Sequence, residues 1–197
     1  ARLSIQRGTS FGYPISSVGA HISASPNHQT GRSVPLGTKA AVAMAGTFGL
    51  ELDPAKLSTE EKEEIREHIA FFRNCCDLIQ HGDYYRIGRD GDRYTAWQSV
   101  SKDGKQVLLT LVMTGAEANP APLHVCLKGL DPEKKYRLVR KRICGSSAEK
   151  MLHRAEKSAF TVPALSGAAL MYGGLTLPGL FGDYPSVQLF FEEVLPE

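Results

Sequence analysis

The hydrophobic period of the chain changes at Gly82, and this change constrains the fold more than any other feature. Before Gly82, apolar residues recur at spacings of three and four, whereas from Asp83 onward they alternate with polar ones. Because side chains repeat every 3.6 residues on a helix and every two on a strand, the two stretches must fold differently. The sequence predicts two parts, residues 1–82 with helices and strands and residues 83–197 with strands.

The segment 58–81 carries the strongest helix signal. Ser58 and Glu61 can form a capping box, in which the Ser58 hydroxyl accepts from the Glu61 amide and the Glu61 carboxylate accepts from the Ser58 amide. Gly82 would end the helix. The apolar residues that we expect on its buried face are Ile65, Ile69, Phe72, Cys76 and Ile79.

Shorter elements precede this helix. Residues 18–24 and 47–52 are predicted strands, and residues 36–45 between them form a predicted helix. Two consecutive strand–helix units predict parallel strands joined by helical crossovers, which is α/β architecture. Residues 1–8 are typical of the last turns of a helix and lack an initiator Met, so we expect the chain to be a fragment.

Beyond Gly82 the alternating pattern predicts an antiparallel β domain. Asp90-Gly91 and Asp103-Gly104 stand where hairpin turns belong. The short strands favour a β-sandwich, although the sequence does not exclude a barrel. The predicted strands are residues 84–87, 94–100, 107–113, 123–127, 136–140, 159–162, 168–172 and 187–192.

Charge and cysteine usage exclude several classes of protein. Lysines and arginines number 23 and acidic residues 21, and the two signs are mixed along the chain, so we expect neither a nucleic-acid nor a membrane partner. The four cysteines lack Cys-x-x-Cys spacing, so we expect no zinc site and a reduced, cytoplasmic protein. The apolar run 165–180 contains glycines and Pro178 and is too short to span a bilayer.

Polar side chains gather on and after the first predicted strand. His21 and Ser23 are two residues apart and would share a face, and Asn27, His28 and Gln29 follow the strand's carboxyl end. Ligands bind at that end of the strands in α/β proteins. The alternative is a satisfied core histidine beside a hydrogen-bonded loop.

Other residues have a simpler structural interpretation. Glu51 and Asp53 could form the carboxylate pair of a glycosidase, but Asp53 before Pro54 is a typical helix cap. The basic run 134–142 fits a strand with Tyr136, Leu138 and Arg140 on one face better than a nucleic-acid surface. Trp97 could stack on a sugar, but a single Trp in a β domain is usually core.

Several motifs along the chain resemble a known family. The motifs are IQRGTS (5–10), YP (13–14), GAHIS (19–23), PNHQTGR (26–32), GLELD (49–53), LSTEE (57–61), LIQHGDYYR (78–86), AWQ (96–98), LKGLDP (127–132) and MYGGL (171–175). Together they resemble α-galactosidases of glycoside hydrolase family 36, and the PNHQ run is the most specific. The resemblance covers nearly the whole chain.

The resemblance implies a fold in more detail. Such enzymes have an N-terminal β-sandwich, a catalytic (β/α)8 barrel and a C-terminal antiparallel β domain. On this plan the strands 18–24 and 47–52 are barrel strands seven and eight. The chain would comprise the last two β/α units of a (β/α)8 barrel (1–82) followed by a C-terminal antiparallel β-sandwich domain (83–197).

The resemblance also implies a function. Family members hydrolyse terminal α-linked galactose with retention, and their catalytic aspartates would both precede Ala1, so we expect no catalytic residue here and an inactive fragment. His21, Ser23, Asn27 and His28 would lie at the rim of the sugar pocket. Galactosides would bind the complete protein, which we expect to be a homo-oligomer without cofactor or metal. The alternative is a non-catalytic β module that binds carbohydrate or forms a subunit interface.

Overall fold

The computed structural model describes residues 2–89, 91–145 and 164–195, and within these ranges the chain forms three α-helices and ten strands. The helices are α1 (Arg2–Thr9), α2 (Leu36–Ala43) and α3 (Thr59–His81). The strands are β1 (His21–Ser23), β2 (Gly49–Glu51), β3 (Asp83–Ile87), β4 (Tyr94–Val100), β5 (Gln106–Met113), β6 (Leu123–Val125), β7 (Lys135–Cys144), β8 (Leu165–Ser166), β9 (Leu175–Leu177) and β10 (Ser186–Glu193).

The first two strands form a small parallel sheet, as predicted for the α/β part. His21 lies opposite Gly49 and Ser23 opposite Glu51. Ile22 is 0% exposed and belongs to the same apolar cluster as Ala40 and Ala43 of α2, so the helix covers one face of the sheet. The strands are shorter than predicted because the pairing extends over three residues only.

Helix α3 begins and ends where the sequence predicts. The Ser58 hydroxyl accepts from the Glu61 amide at 3.1 Å and the Glu61 carboxylate accepts from the Ser58 amide at 2.9 Å, which confirms the capping box. Gly82 follows the last turn as the C-cap.

The predicted buried face of α3 is confirmed at Ile65 and Ile79, whereas its other three residues are only partly buried. Its centre runs through His68, Phe71 and Cys75, whereas Phe72 and Cys76 lie at the margin. The prediction follows apolar residues only. Because the polar residue His68 lies in the middle of the buried face, that pattern selects the row of side chains beside it. Cys75 also departs from helical geometry, with φ −117° and ψ 16°.

The β part is built on a six-stranded antiparallel sheet in the order β3-β4-β5-β10-β7-β8. Strand β10 lies between β5 and β7 and pairs with both. Strands β6 and β9 form a separate antiparallel pair. Gly104 in the β4–β5 connection has φ +68°, which suits the hairpin turn predicted there, whereas Asp90 of the other predicted turn lies outside the described residues.

The six-stranded sheet is covered on both faces. Alternate residues of β5 divide between them: Leu109 and Leu111 join the cluster that includes β6 and β9, and Leu108 joins the cluster of α3. Trp97 and Val112 face α2 in a further cluster. The helical part therefore packs directly onto the sheet.

Two predictions about the strands are wrong, and a third concerns residues outside the described ranges. The strand predicted at 168–172 is wrong: Ala169–Gly173 is a π-helical turn whose Leu170 is buried against the sheet. The strand predicted at 159–162 lies outside the described residues. Arg140 is not on the face of Tyr136 and Leu138, because the pairing with β10 slips by one residue at a bulge and turns Arg140 toward α3.

Candidate functional site

The polar residues predicted on the first strand lie on the face of the β1–β2 sheet that α2 does not cover. Side chains alternate along a strand, so Ile22 packs on α2 while His21 and Ser23 face the other side. Glu51 of β2 shares that face, and its Oε2 contacts His21 Nε2. The Glu51 side chain is largely exposed. This face is the candidate functional site.

Arg2 of α1 completes a three-residue cluster around the His21 ring. One guanidinium nitrogen donates to the backbone carbonyl of His21, and Nη2 lies 2.9 Å from His21 Nε2. A protonated Nε2 donates to Glu51, whereas a bare Nε2 accepts from Arg2, and a single nitrogen cannot do both at once. The proton on His21 therefore decides whether the ring bonds to the carboxylate or to the guanidinium.

A lysine of α2 supports the end of the first strand. Lys39 Nζ donates to the backbone carbonyl of Ser23 at 2.9 Å. Burial lowers the pKa of the Lys39 ammonium below its ordinary value, while the carboxylates of Glu61 and Glu64 act in the opposite direction. The contact fixes the point at which the chain leaves β1 and enters the loop 24–35.

The loop after the first strand is organised by Asn27. Its side-chain oxygen accepts from the Gln29 amide at 3.1 Å, the Thr30 amide at 3.0 Å and the Thr30 hydroxyl at 3.1 Å. The Asn27 amide also donates to the Arg32 carbonyl at 2.9 Å. These contacts confirm the hydrogen-bonded loop for Asn27, whereas His28 is exposed at its tip.

The two carboxylates at the end of the second strand have different roles. Asp53 accepts from the Ala55 amide at 3.0 Å and caps the 3-10 turn Pro54–Lys56, which confirms the capping role. Glu51 is turned instead toward His21. Since Asp53 is committed to the backbone, the geometry gives no support to a catalytic carboxylate pair at these two residues.

The other candidate residues are structural. Trp97 is 6% exposed and packs with Val42, Ala45 and Val112, so it cannot stack on a sugar. Tyr172, 79% exposed, is the single largely exposed aromatic side chain in the described part of residues 83–197. A carbohydrate-binding β module would need a row of such side chains on one sheet face.

Two residues that contact the first strand were not predicted from the sequence. Arg2 and Lys39 lie far from the strand in sequence and meet it only through the packing of α1 and α2, so no local signal marks them.

Within the described ranges no helix is long and apolar enough to cross a membrane. The same residues contain no group of three or more His, Cys, Asp or Glu side chains arranged to hold a metal ion.

Two family models match successive parts of the chain. Residues 1–82 match the Melibiase family model, and residues 94–191 match the model of the glycosyl hydrolase family 36 C-terminal domain. Together the two matches leave unmatched residues 83–93, which comprise β3 and its connection to β4, and residues 192–197.

Relatives with assigned functions match over nearly the whole chain. The bifunctional α-galactosidase/sucrose kinase AgaSK of Mediterraneibacter gnavus is 42% identical over 98% of this chain, which corresponds to 19% of that protein. The α-galactosidase AgaA of Geobacillus stearothermophilus is 38% identical over 95% of this chain and 23% of its own length.

Solved structures agree with these sequence matches. The crystal structure of the Geobacillus stearothermophilus α-galactosidase AgaA superposes with a TM-score of 0.84 at 36% identity, over 98% of this chain and 24% of that one. This chain thus spans about a fifth to a quarter of the relatives that it matches. The chain belongs to glycoside hydrolase family 36 and corresponds to the C-terminal portion of its α-galactosidases.

Proposed function

We propose that the chain is the C-terminal portion of a retaining α-galactosidase that hydrolyses terminal α-linked galactose from oligosaccharides. Residues 1–82 would supply the last two β/α units of a (β/α)8 barrel, and residues 83–197 a C-terminal antiparallel β-sandwich domain. The observation that carries the proposal is the parallel pair β1–β2, apolar where α2 covers it and polar on the opposite face. Barrel strands have this division, with one face toward the helices and one toward the barrel axis.

The candidate site residues fit the carboxyl end of such a barrel. Active sites of (β/α)8 enzymes lie at the carboxyl ends of the strands and in the loops that follow. Ser23 and Glu51 are the last residues of β1 and β2, and Asn27 and His28 lie in the loop after β1. On this proposal His21, Ser23, Asn27 and His28 form part of the wall and rim of the sugar pocket.

The chain alone is expected to be inactive. The family resemblance assigns both catalytic aspartates to positions before Ala1, and two parallel strands cannot close a barrel. Purified 197-residue chain should therefore release no nitrophenol from a chromogenic α-galactoside, whereas the complete polypeptide should. Measurable hydrolysis by the chain alone would overturn this part of the proposal.

The solved structures of a relative support a class of substrate. Variants of the Geobacillus stearothermophilus enzyme have been solved in complex with raffinose and with stachyose, which supports galactosides of this type as ligands of the complete protein. We further propose that the complete protein is a cytoplasmic homo-oligomer that requires no cofactor.

The role of the loop is tested by alanine substitutions in the complete protein. Because His28 is exposed and Asn27 holds the loop together, His28→Ala should raise KM for raffinose without changing Tm, and Asn27→Ala should raise KM more. The exposed His81, at the end of α3, provides the matched control His81→Ala. If kcat/KM is unchanged in both loop variants, these residues have no part in the pocket.

A further inference from the structure

A fully buried histidine lies between α3 and the six-stranded sheet, outside the candidate site. His68 is 0% exposed and occupies the centre of the buried face of α3. Neither of its ring nitrogens has a hydrogen-bond partner among the described residues. Buried polar atoms without partners are rare in proteins because each gives up its hydrogen bonds to water without replacement.

The charged groups around His68 lie on α3, β7 and α2. Glu64 on the preceding turn of α3 places Oε1 3.6 Å from His68 Nε2, too long for a hydrogen bond. On β7, Arg142 contacts Glu64 at 3.2 Å and Glu67 at 3.0 Å, and the Arg140 guanidinium lies 4.0 Å from the centre of the Phe71 ring.

Two further groups complete the surroundings. Lys39 of α2 interacts electrostatically with Glu64. The Cys144 thiol of β7 lies close to Arg142, and burial raises its pKa, which favours the neutral form. Glu64 is therefore the carboxylate next to His68, and Arg142 already shares it.

A proton on His68 would meet an unfavourable environment. The imidazolium would lose all contact with water and would stand beside Arg140 and Arg142, with a single carboxylate that Arg142 already neutralises. Burial is the largest of the effects that lower the pKa of His68 below 6.5, the two arginines add to it, and Glu64 opposes it. The neutral ring is therefore the form that fits the interface.

We propose that the protonation state of His68 controls the packing of α3 on β7. The helix is docked on the sheet while the ring is neutral and separates from it when the ring is protonated. Release would uncover the side of α3 that carries Phe71 and Cys75 and would separate the β1–β2 part of the molecule from the sheet. The complete protein would then lose its helix–sheet contact reversibly in mildly acidic conditions.

The direction of the pH dependence follows from proton binding. Around and below pH 6.5, His68 binds a proton in the unfolded chain but not in the folded chain. The stability contributed by neutral His68 is therefore complete above pH 6.5 and falls as the pH decreases. The unfolding constant should rise by up to tenfold for each pH unit below 6.5 on account of this residue.

The test compares two histidines of the same helix. The 197-residue chain and its His68→Leu and His81→Leu variants are unfolded in urea at pH values from 7.5 to 5.0, with Trp97 fluorescence as the signal. His81 is exposed and pairs with Asp77. We expect the unfolding constant of His68→Leu to depend less on pH than that of the wild type, whereas His81→Leu should retain most of the wild-type dependence. Equal pH dependence in the wild type and His68→Leu overturns the proposal.

A second measurement does not depend on the folding of a variant. The 1H–13C resonance of the His68 ring is followed through a pH titration of the wild-type chain, and amide hydrogen exchange is measured across α3 at pH 7.5 and 5.5. The ring should stay neutral below pH 6.5, and after correction for intrinsic rates the amides of α3 should exchange faster at pH 5.5. A ring that gains its proton at or above pH 6.5, or an α3 whose protection is unchanged, overturns the proposal.

Discussion

Replacing Phe71 by alanine removes the side chain through which α3 contacts two strands of the sheet at once. Phe71 is 6% exposed, its ring meets the ring of Phe190 on β10 edge to face at 5.9 Å, and Arg140 of β7 lies over its face at 4.0 Å. The substitution therefore tests whether the helical part is docked on the sheet as described.

The expected loss of stability is that of truncating a buried aromatic ring, and two specific ring contacts form part of it. Truncation of a buried Phe to Ala costs about 3–5 kcal/mol, which includes the cavity that it leaves. Within that total, the edge-to-face pair accounts for roughly 0.5–1.5 kcal/mol and the contact with the half-buried Arg140 for about 0.5–1 kcal/mol. With a urea m-value of about 2–3 kcal/mol/M, Phe71→Ala should lower the unfolding midpoint by about 1–2.5 M.

Urea unfolding followed by fluorescence measures this effect directly. Trp97 is the only tryptophan of the chain and lies against α2 and the sheet, so its emission reports on the helix–sheet interface. A cycle of Phe71→Leu and Arg140→Met isolates the contact between ring and guanidinium, and Lys141→Met, the next residue of β7, serves as the control partner.

Two results would refute the reasoning. A loss below about 1.5 kcal/mol for Phe71→Ala would mean that the ring is not enclosed between α3 and the sheet. A coupling between Phe71 and Arg140 no larger than that between Phe71 and Lys141 would mean that the bulge in β7 does not turn Arg140 toward the helix.

The remaining predictions concern the helix cap and the cysteines. Ser58→Ala should cost about 1 kcal/mol in urea unfolding because the Glu61 amide loses its acceptor, whereas Ser33→Ala, at an exposed serine, should cost nothing measurable. Burial raises the pKa of the Cys75 thiol to about 12 and that of Cys144 above its ordinary value, so at pH 8 both should react more slowly with a thiol-specific disulfide reagent than the same cysteines in the urea-unfolded chain. Mass spectrometry of the labelled peptides gives the rates, and equal rates in folded and unfolded chain would contradict the burial of Cys75 and the partial burial of Cys144.

The elements with strong local signals were predictable from the sequence. The capping box at Ser58 and the stop at Gly82 bound α3 because both act through neighbouring residues of the chain. Strands β4, β5 and β10 were predictable because each alternates or is continuously apolar over seven or eight residues.

The errors arise where packing decides between local alternatives. The run that ends at Tyr172 is apolar and short, and such a run fits a buried strand and a helical turn equally well. The choice of a helical turn depends on how the folded chain packs around the buried Leu170. The orientation of Arg140 depends on a slip in the pairing with β10, which no residue of β7 signals alone.

The candidate site shows the same division between local and long-range information. The shared face of His21 and Ser23 follows from strand geometry, and the role of Asn27 in its loop follows from residue type. The contact of Glu51 with His21 requires the register of β1 against β2, and that of Arg2 requires the docking of α1, so neither could be predicted.

The position of β10 in the sheet has a consequence for synthesis on the ribosome. Strands β5 and β7 are both made before β10, which later fills the place between them. About 70 residues separate the end of β5 from the start of β10, and about 40 separate the end of β7 from it. At roughly 5–20 residues per second the β5 edge stays unpaired for about 4–14 s and the β7 edge for about 2–8 s. The β5 edge is mostly apolar on both faces and prone to pair with other chains, so we expect the nascent chain to be most prone to aggregation before β10 leaves the exit tunnel.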